Sequence, residues 1–298
     1  MLLLVVACGP GIGALVEPAM DDLRPNITLP TPGTPVIAML NWVGLRTLYV
    51  KEVRRFFKVH LQTIWAPAMT TLLFLVIFTV AMGRGGAVVH VGGEEVPFAD
   101  FVAPGLIIMG MIQNAFANSS FSLLAGKMQG TIVDYLMPPL SSLEVLTGLM
   151  GAAVTRAFFV GCAVWLAMCL WPGVHVMPHA LWAVFYFGLM GSMLLAFMGV
   201  LTSLWAEKFD HAAAVTNFIV QPLSLLSGTF YSADHLAPWY RTISHANPIF
   251  YVISGFRYGF LGVSDLPITA GGIGLLLLNA ALGLLCYCLL KTGWRIKA

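Results

Sequence analysis

Residues 227–265 read SGTFYSADHLAPWYRTISHANPIFYVISGFRYGFLGVSD. The stretch lies between two apolar segments and mixes aromatic residues, prolines and small polar residues. Trp and Tyr are amphipathic and collect at the membrane–water boundary. Pro238 and Pro248 interrupt any long helix. Irregular backbone at membrane depth survives only when it is buried in protein or lines a wet cavity. The stretch therefore reads as a short re-entrant or interfacial hairpin that dips into the outer leaflet, and it points to a transport machine.

The composition agrees. Hydrophobic residues make up 59% of the chain and charged residues 9%, against about 25% charged in soluble domains. This is the composition of a polytopic membrane protein. The basic residues are few and lie beside apolar segments, which argues against a nucleic-acid partner. Four of the five cysteines (Cys162, Cys169, Cys286 and Cys288, but not Cys8) lie in apolar segments, and none forms a CxxC. They read as small buried hydrophobes rather than as a disulfide framework or metal site.

Six segments approach the roughly 20 residues needed to cross the hydrocarbon core: 62–82, 101–124, 146–170, 180–205, 212–230 and 268–290. Arg46, Lys51, Arg54, Arg55, Lys58, Lys127, Lys208, Lys291, Arg295 and Lys297 then share one side of the membrane. Glu94, Glu95, Asp100 and Asp234 share the other, with few basic residues, chiefly Arg84 and Arg241. The positive side is cytoplasmic, so both termini are expected there. Trp171, Trp182 and Trp239 fall at the outer boundary under this reading, and Trp65, Trp205 and Trp294 at the inner one.

From about Leu40 to His60 the pattern is amphipathic. Trp42, Leu45, Tyr49, Val53 and Phe56 recur on one face, with Lys51, Arg54, Arg55 and Lys58 roughly opposite. Such a helix lies flat on the cytoplasmic leaflet, either as a plain lipid anchor or as a platform for a cytoplasmic partner. Residues 1–38 are set apart from 39–298. MLLLVVACGPGIG is too short to span and lacks a basic n-region, although Leu4–Cys8 loosely resembles a lipoprotein cleavage site. The stretch reads as a flexible extension, or as a start placed too early with Met39 the true one.

The chain holds no GxxxxGK[ST], HExxH or GxSxG, and His90, His175, His179, His235 and His245 are scattered over the outer loops. Neither a catalytic centre nor a metal site is expected. Two spans are unusually polar: the second carries Gln113, Asn114, Asn118, Ser119 and Ser120, and the fifth carries Asn217, Gln221, Ser224 and Ser227 around Pro222. Either these groups hydrogen-bond helix to helix, or they line a translocation path. Arg156 has no carboxylate placed to meet it and is expected to snorkel or to bond backbone. In the loop KMQGTIVDYLMPPLSSLE, residues 127–144, Gly130 to Leu136 suits a short helix ended by Pro138-Pro139. Ser141 or Ser142 can cap the third span, with Glu144 in its first turn.

Three stretches together, FADFVAPGLIIMGMIQNAFAN at 98–118, GTIVDYLMPPLSSLEVLTG at 130–148 and the opening stretch, resemble the ABC-2 type transporter permeases from about Met39 onward. The resemblance implies an all-α membrane domain of six transmembrane helices. It adds a cytoplasmic amphipathic helix and an external re-entrant helical hairpin between helices five and six. It implies a homodimer in the bacterial inner membrane, among membrane lipids, with two ABC ATPase chains docked on the cytoplasmic side. ATP and Mg would be bound there, with no cofactor in this chain. The ATPase would be touched by a coupling helix (Gly130, Thr131, Asp134, Tyr135, Leu136) and by the amphipathic helix (Lys51, Arg54, Arg55, Lys58). Gln113, Asn114, Asn118, Asn217, Gln221 and Ser224 would line the path. Tyr231, Trp239, Asn247, Pro248 and Phe250 would belong to the external gate. Many relatives place a Glu-Arg pair before the Gly-Thr, where this chain has Met128-Gln129. The implied function is export of an amphipathic cargo: a lipid, glycolipid or polysaccharide, or hydrophobic drug. A membrane-embedded lipid-modifying enzyme and a secondary transporter are the alternatives. The first needs clustered acid, base or metal ligands at one depth, the second mid-membrane carboxylates and inverted repeats.

Overall fold

The computed structural model describes residues 40–83, 88–91, 94–171, 174, 176–230, 246–264 and 266–294. Helix α1, Trp42–Phe57, is followed by a π-helical turn, Leu61–Trp65, that runs directly into α2, Ala66–Gly83. A hairpin of β1, Val88–Val91, and β2, Glu94–Pro97, leads into α3, Phe98–Met128. A short helix α4, Val133–Leu136, precedes α5, Ser142–Cys169, and α6, Leu181–Trp205. Next come α7, Phe209–Val215, a second π-turn, Thr216–Val220, and α8, Gln221–Leu225. The described chain ends with α9, Pro248–Leu261, and α10, Ile268–Thr292.

Five helical runs among the described residues are long and apolar enough to cross a membrane: Leu61–Ala81, α3, α5, α6 and α10. They match five of the six expected spans. The remaining one, 212–230, folds as the α7–π–α8 run of seven, five and five residues, just short of that length. The hairpin corrects the all-α expectation. Val88 to Val91 pair antiparallel with Pro97 to Glu94, and His90 Nε2 lies 3.1 Å from Glu95 Oε1 across the strands. Of the expected re-entrant hairpin, residues 231–245, including Tyr231 and Trp239, lie outside the described residues, as do residues 1–38.

The spans pack through small residues, as expected where no hydrophobic drive separates protein from lipid. α3 and α6 are the most enclosed, and Leu61–Ala81 and α10 the least. At Gly199 a Cβ would stand 2.7 Å from the Phe116 carbonyl, so α3 and α6 approach backbone to backbone. Polar side chains fasten α10 to α6: Asn279 Nδ2 donates to the Met190 carbonyl at 3.1 Å, and Tyr186 Oη to that of Gly272 at 2.9 Å. Trp65, Trp171, Trp182, Trp205 and Trp294 are exposed, each at or beside a span end, as amphipathic rings at two interfaces require.

Two spans outrun the membrane. At 1.5 Å per residue, the 31 residues of α3 and the 28 of α5 extend about 46 and 42 Å, against a hydrocarbon core of about 30 Å. The end at which α3 stops and α5 begins carries α4, and α1 packs against α5 there. Leu48 fits over Gly148, whose added Cβ would stand 2.9 Å from it, and Tyr49 Oη meets Thr155 Oγ1 at 2.8 Å. The face expected to lie on lipid is thus largely a protein contact, with Leu48 and Phe56 buried.

Candidate functional site

At the α4 end, four elements, α1, α3, α4 and α5, are tied by two carboxylates. Ser141 caps α5 in a full capping box: the Glu144 amide donates to Ser141 Oγ at 3.3 Å, and the Ser141 amide donates to Glu144 Oε2 at 2.6 Å. The other oxygen of Glu144 accepts from the Asn41 amide. Asn41 also caps α1 through Gly44 N at 2.9 Å and reaches the Pro139 carbonyl at 3.3 Å. The start of α1 is therefore pinned to the end of the α4 loop and to the first turn of α5.

The second carboxylate is Glu52, fully buried on α1. Its Oε1 accepts from Tyr135 Oη at 2.7 Å, and its Oε2 from Ser122 Oγ at 2.8 Å. Arg55 Nη2 pairs with Oε2 at 2.9 Å. Lys51 Nζ lies 4.2 Å from the Tyr135 ring centre, a cation–π distance. Burial first, and then the Glu52 carboxylate, hold the Tyr135 phenol well above the ordinary tyrosine range, so it donates as a neutral hydroxyl. Sequence reasoning passed over Glu52, a lone acid among cations.

The expected contact residues divide. Gly130, at φ +71, opens a turn rather than a helix, and α4 proper begins at Val133 and ends at Leu136. Thr131 and Asp134 are exposed, whereas Tyr135 turns inward. On α1, Lys51, Arg54 and Lys58 are exposed. Arg55 bends inward to Glu52 and also donates to the Asn118 carbonyl at 3.2 Å.

Arg156 neither snorkels nor bonds backbone. Its Nη2 donates to Asn114 Oδ1 at 2.9 Å, a side-chain amide one helical turn from Asn118. Asn114 in turn donates to the Gly110 carbonyl at 3.0 Å. Asn114 also lines an open cavity of about 400 Å³ with Gln113, Gln221, Gln62, Pro67 and Thr71. Of the expected path residues, Gln113, Asn114 and Gln221 thus come together. Asn118 is buried against Arg55, Ser224 is buried and donates to the Val220 carbonyl at 2.7 Å, and Asn217 is exposed elsewhere. The cavity's two flanking helices share a device. In each, a π-turn (Leu61–Trp65, Thr216–Val220) lies just before a proline, Pro67 or Pro222. Proline removes a helical donor, and π-turns widen a helix, often at functional sites.

At the opposite end, Asn247 caps α9 through Ile249 N at 3.0 Å, with Pro248 at the first helical position. Its amide donates back to Ser227 Oγ at 2.6 Å and to the Leu223 carbonyl at 3.2 Å. Phe250 is buried. Arg257, 2% exposed, donates to the Gly228 carbonyl at 2.6 Å and stacks over Phe101 at 3.7 Å. These side chains hold α9 to the turn after α8. Among the described residues no three His, Cys, Asp or Glu side chains cluster as metal ligands.

The family model described as ABC-2 type transporter matches residues 44–261. The chain is 34% identical over 260 residues to the inner membrane transport permease YadH of Escherichia coli K12, covering 87% of this chain and 99% of that protein. It is 22% identical over 244 residues to nodulation protein J of Neorhizobium galegae, covering 79% and 87%. It is 27% identical over 195 residues to the probable multidrug ABC transporter permease YbhR of E. coli K12, covering 64% and 52%.

Proposed function

Because the chain belongs to the ABC-2 type transporter family, we propose that it is the non-catalytic membrane subunit of an exporter driven by a separate ABC ATPase. Two copies pair in the bacterial inner membrane, both termini face the cytoplasm, and two ATPase chains, which bind the ATP and Mg, dock on the α4 end. The carrying observation is the exposed turn of Gly130, Thr131 and Asp134. It is joined directly to two long spans and clamped to α1 by Glu52 and by the Asn41–Glu144 pair. A docked machine pushing there acts on α3 and α5 at once. Lys51, Arg54 and Lys58 extend the same surface. Six crossings, with the α7–π–α8 run as the fifth, and an external re-entrant gate around α9 complete this reading.

The mixed lining of the cavity suits an amphipathic cargo, whose head meets amides and hydroxyls while its tail meets Leu106, Phe74 and Leu225. ATP binding would switch the pair between inward- and outward-open states by differential affinity. Coexpression with a candidate ABC ATPase chain tests the proposal. The expected product is a complex of two and two chains whose hydrolysis is stimulated in vesicles. Purification of the chain without any ATPase, with transport intact, overturns it.

A further inference from the structure

The ATPase-facing turn hangs between two joints, Gly130 on one side and Pro138-Pro139 on the other. Gly130 sits at φ +71 with open space where a side chain would stand. What fixes α4 between them is Tyr135, whose ring packs over Gly126 of α3 and whose hydroxyl meets Glu52 of α1. Glu52 lies on the buried face of α1 with Leu48 and Phe56, one turn to either side. An apolar residue would pack there as well or better, since a buried carboxylate costs free energy unless it is paired and hydrogen-bonded. Here both oxygens are engaged, by donors from α4, α3 and α1 itself. Directional bonds hold one geometry, whereas apolar contacts tolerate sliding.

We infer that Glu52 is a positioning residue: by holding the Tyr135 hydroxyl, it makes α1, α4 and the end of α3 one lever. This rests on the reading of the Thr131–Asp134 turn as the ATPase's contact. Tyr135 then transmits motion from within and does not touch the partner. Arg55 balances the carboxylate and carries the link on to Asn118.

The test uses the full chain in nanodiscs with its ATPase partner, native cysteines replaced, and spin labels at Thr47→Cys on α1 and Met137→Cys beside α4, both exposed positions. Pulsed EPR of the parent gives one narrow within-protomer distance, the same without nucleotide and in the ATP-trapped state, once the cross-protomer distances are read from the two single-label chains. In Tyr135→Phe and in Glu52→Leu, each of which removes one partner of the bond, the distribution widens at least twofold. Loss of a buried hydrogen bond to a charged group shifts the latched-to-free ratio roughly tenfold or more. Stimulated hydrolysis falls about as far, while ATPase binding changes less than threefold. The double variant is no worse than either single one. A merely structural role would lower stability and binding together and leave the split between binding and stimulation unmoved. A bound, stimulated ATPase with unmoved label distances in both variants overturns the positioning role alone. A parent chain that binds no ATPase overturns the functional reading beneath it.

Discussion

Asn247 separates two accounts of how α9 is held. If it only caps the helix, Asn247→Asp is close to neutral, because Asp and Asn cap equally well. The structure gives it a second role, since its amide donates to Ser227 Oγ at 2.6 Å and to the Leu223 carbonyl at 3.2 Å. Asp cannot donate either bond, and it brings a charge against a carbonyl oxygen in a site where Asn247 is 8% exposed. Two buried hydrogen bonds at about 1 kcal/mol each make Asn247→Asp at least about 2 kcal/mol destabilising. Asn247→Ala loses these and a cap of about 1 kcal/mol, about 3 kcal/mol in all. Equilibrium unfolding in mixed micelles, by SDS titration, measures both variants against the parent. An Asn247→Asp protein as stable as the parent refutes the tie between α9 and the end of α8.

Gly199→Ala is expected to destabilise by about 1–3 kcal/mol through overpacking against the Phe116 carbonyl, despite a helix-propensity gain of about 1 kcal/mol. The same titration checks it, and a more stable variant contradicts the packing. Gln221→Trp narrows the cavity of about 400 Å³ from α8. Transport in vesicles should be lost while the chain still folds and retains its ATPase, and undiminished transport places the path elsewhere. Tyr135 has a raised folded pKa, so its contribution is full below about pH 10, the unfolded value, and is lost as pH rises beyond it. Stability of the parent should therefore fall by about 1.4 kcal/mol per pH unit more steeply above pH 10 than that of Tyr135→Phe. Parallel slopes contradict it.

Hydropathy length made five spans legible, and turn chemistry made the Ser141–Glu144 cap legible, because each rests on residues near in sequence. The α7–π–α8 run was expected to be one continuous, unusually polar span. Pro222 marked the interruption, but the π-turn depends on how neighbouring helices accept it. The hairpin was missed although VVHVGGEEVP carries its signs, two short β-prone runs around Gly-Gly. Strands of four residues carry too short an alternation to stand out in a chain whose apolar runs are helical. Glu52 was illegible for a different reason. Its partners Ser122 and Tyr135 lie 70 and 83 residues away, and a lone acid beside Lys51, Arg54 and Arg55 looks solvated. Arg156 found Asn114 across 42 residues for the same reason: the polar residues of the second span were visible, but not which cation each would meet.

The central claim is that the turn after α3 receives the ATPase's stroke. Its most direct measurement is permease-stimulated ATP hydrolysis in reconstituted vesicles for Thr131→Arg and Asp134→Arg, two exposed positions distinct from Tyr135, Ser122 and Arg55, which hold Glu52. Both variants should fold and melt like the parent, since surface substitutions change stability by about 0.5 kcal/mol or less, while stimulation falls to the level of the ATPase alone. Full stimulation and full transport in both variants would contradict the account.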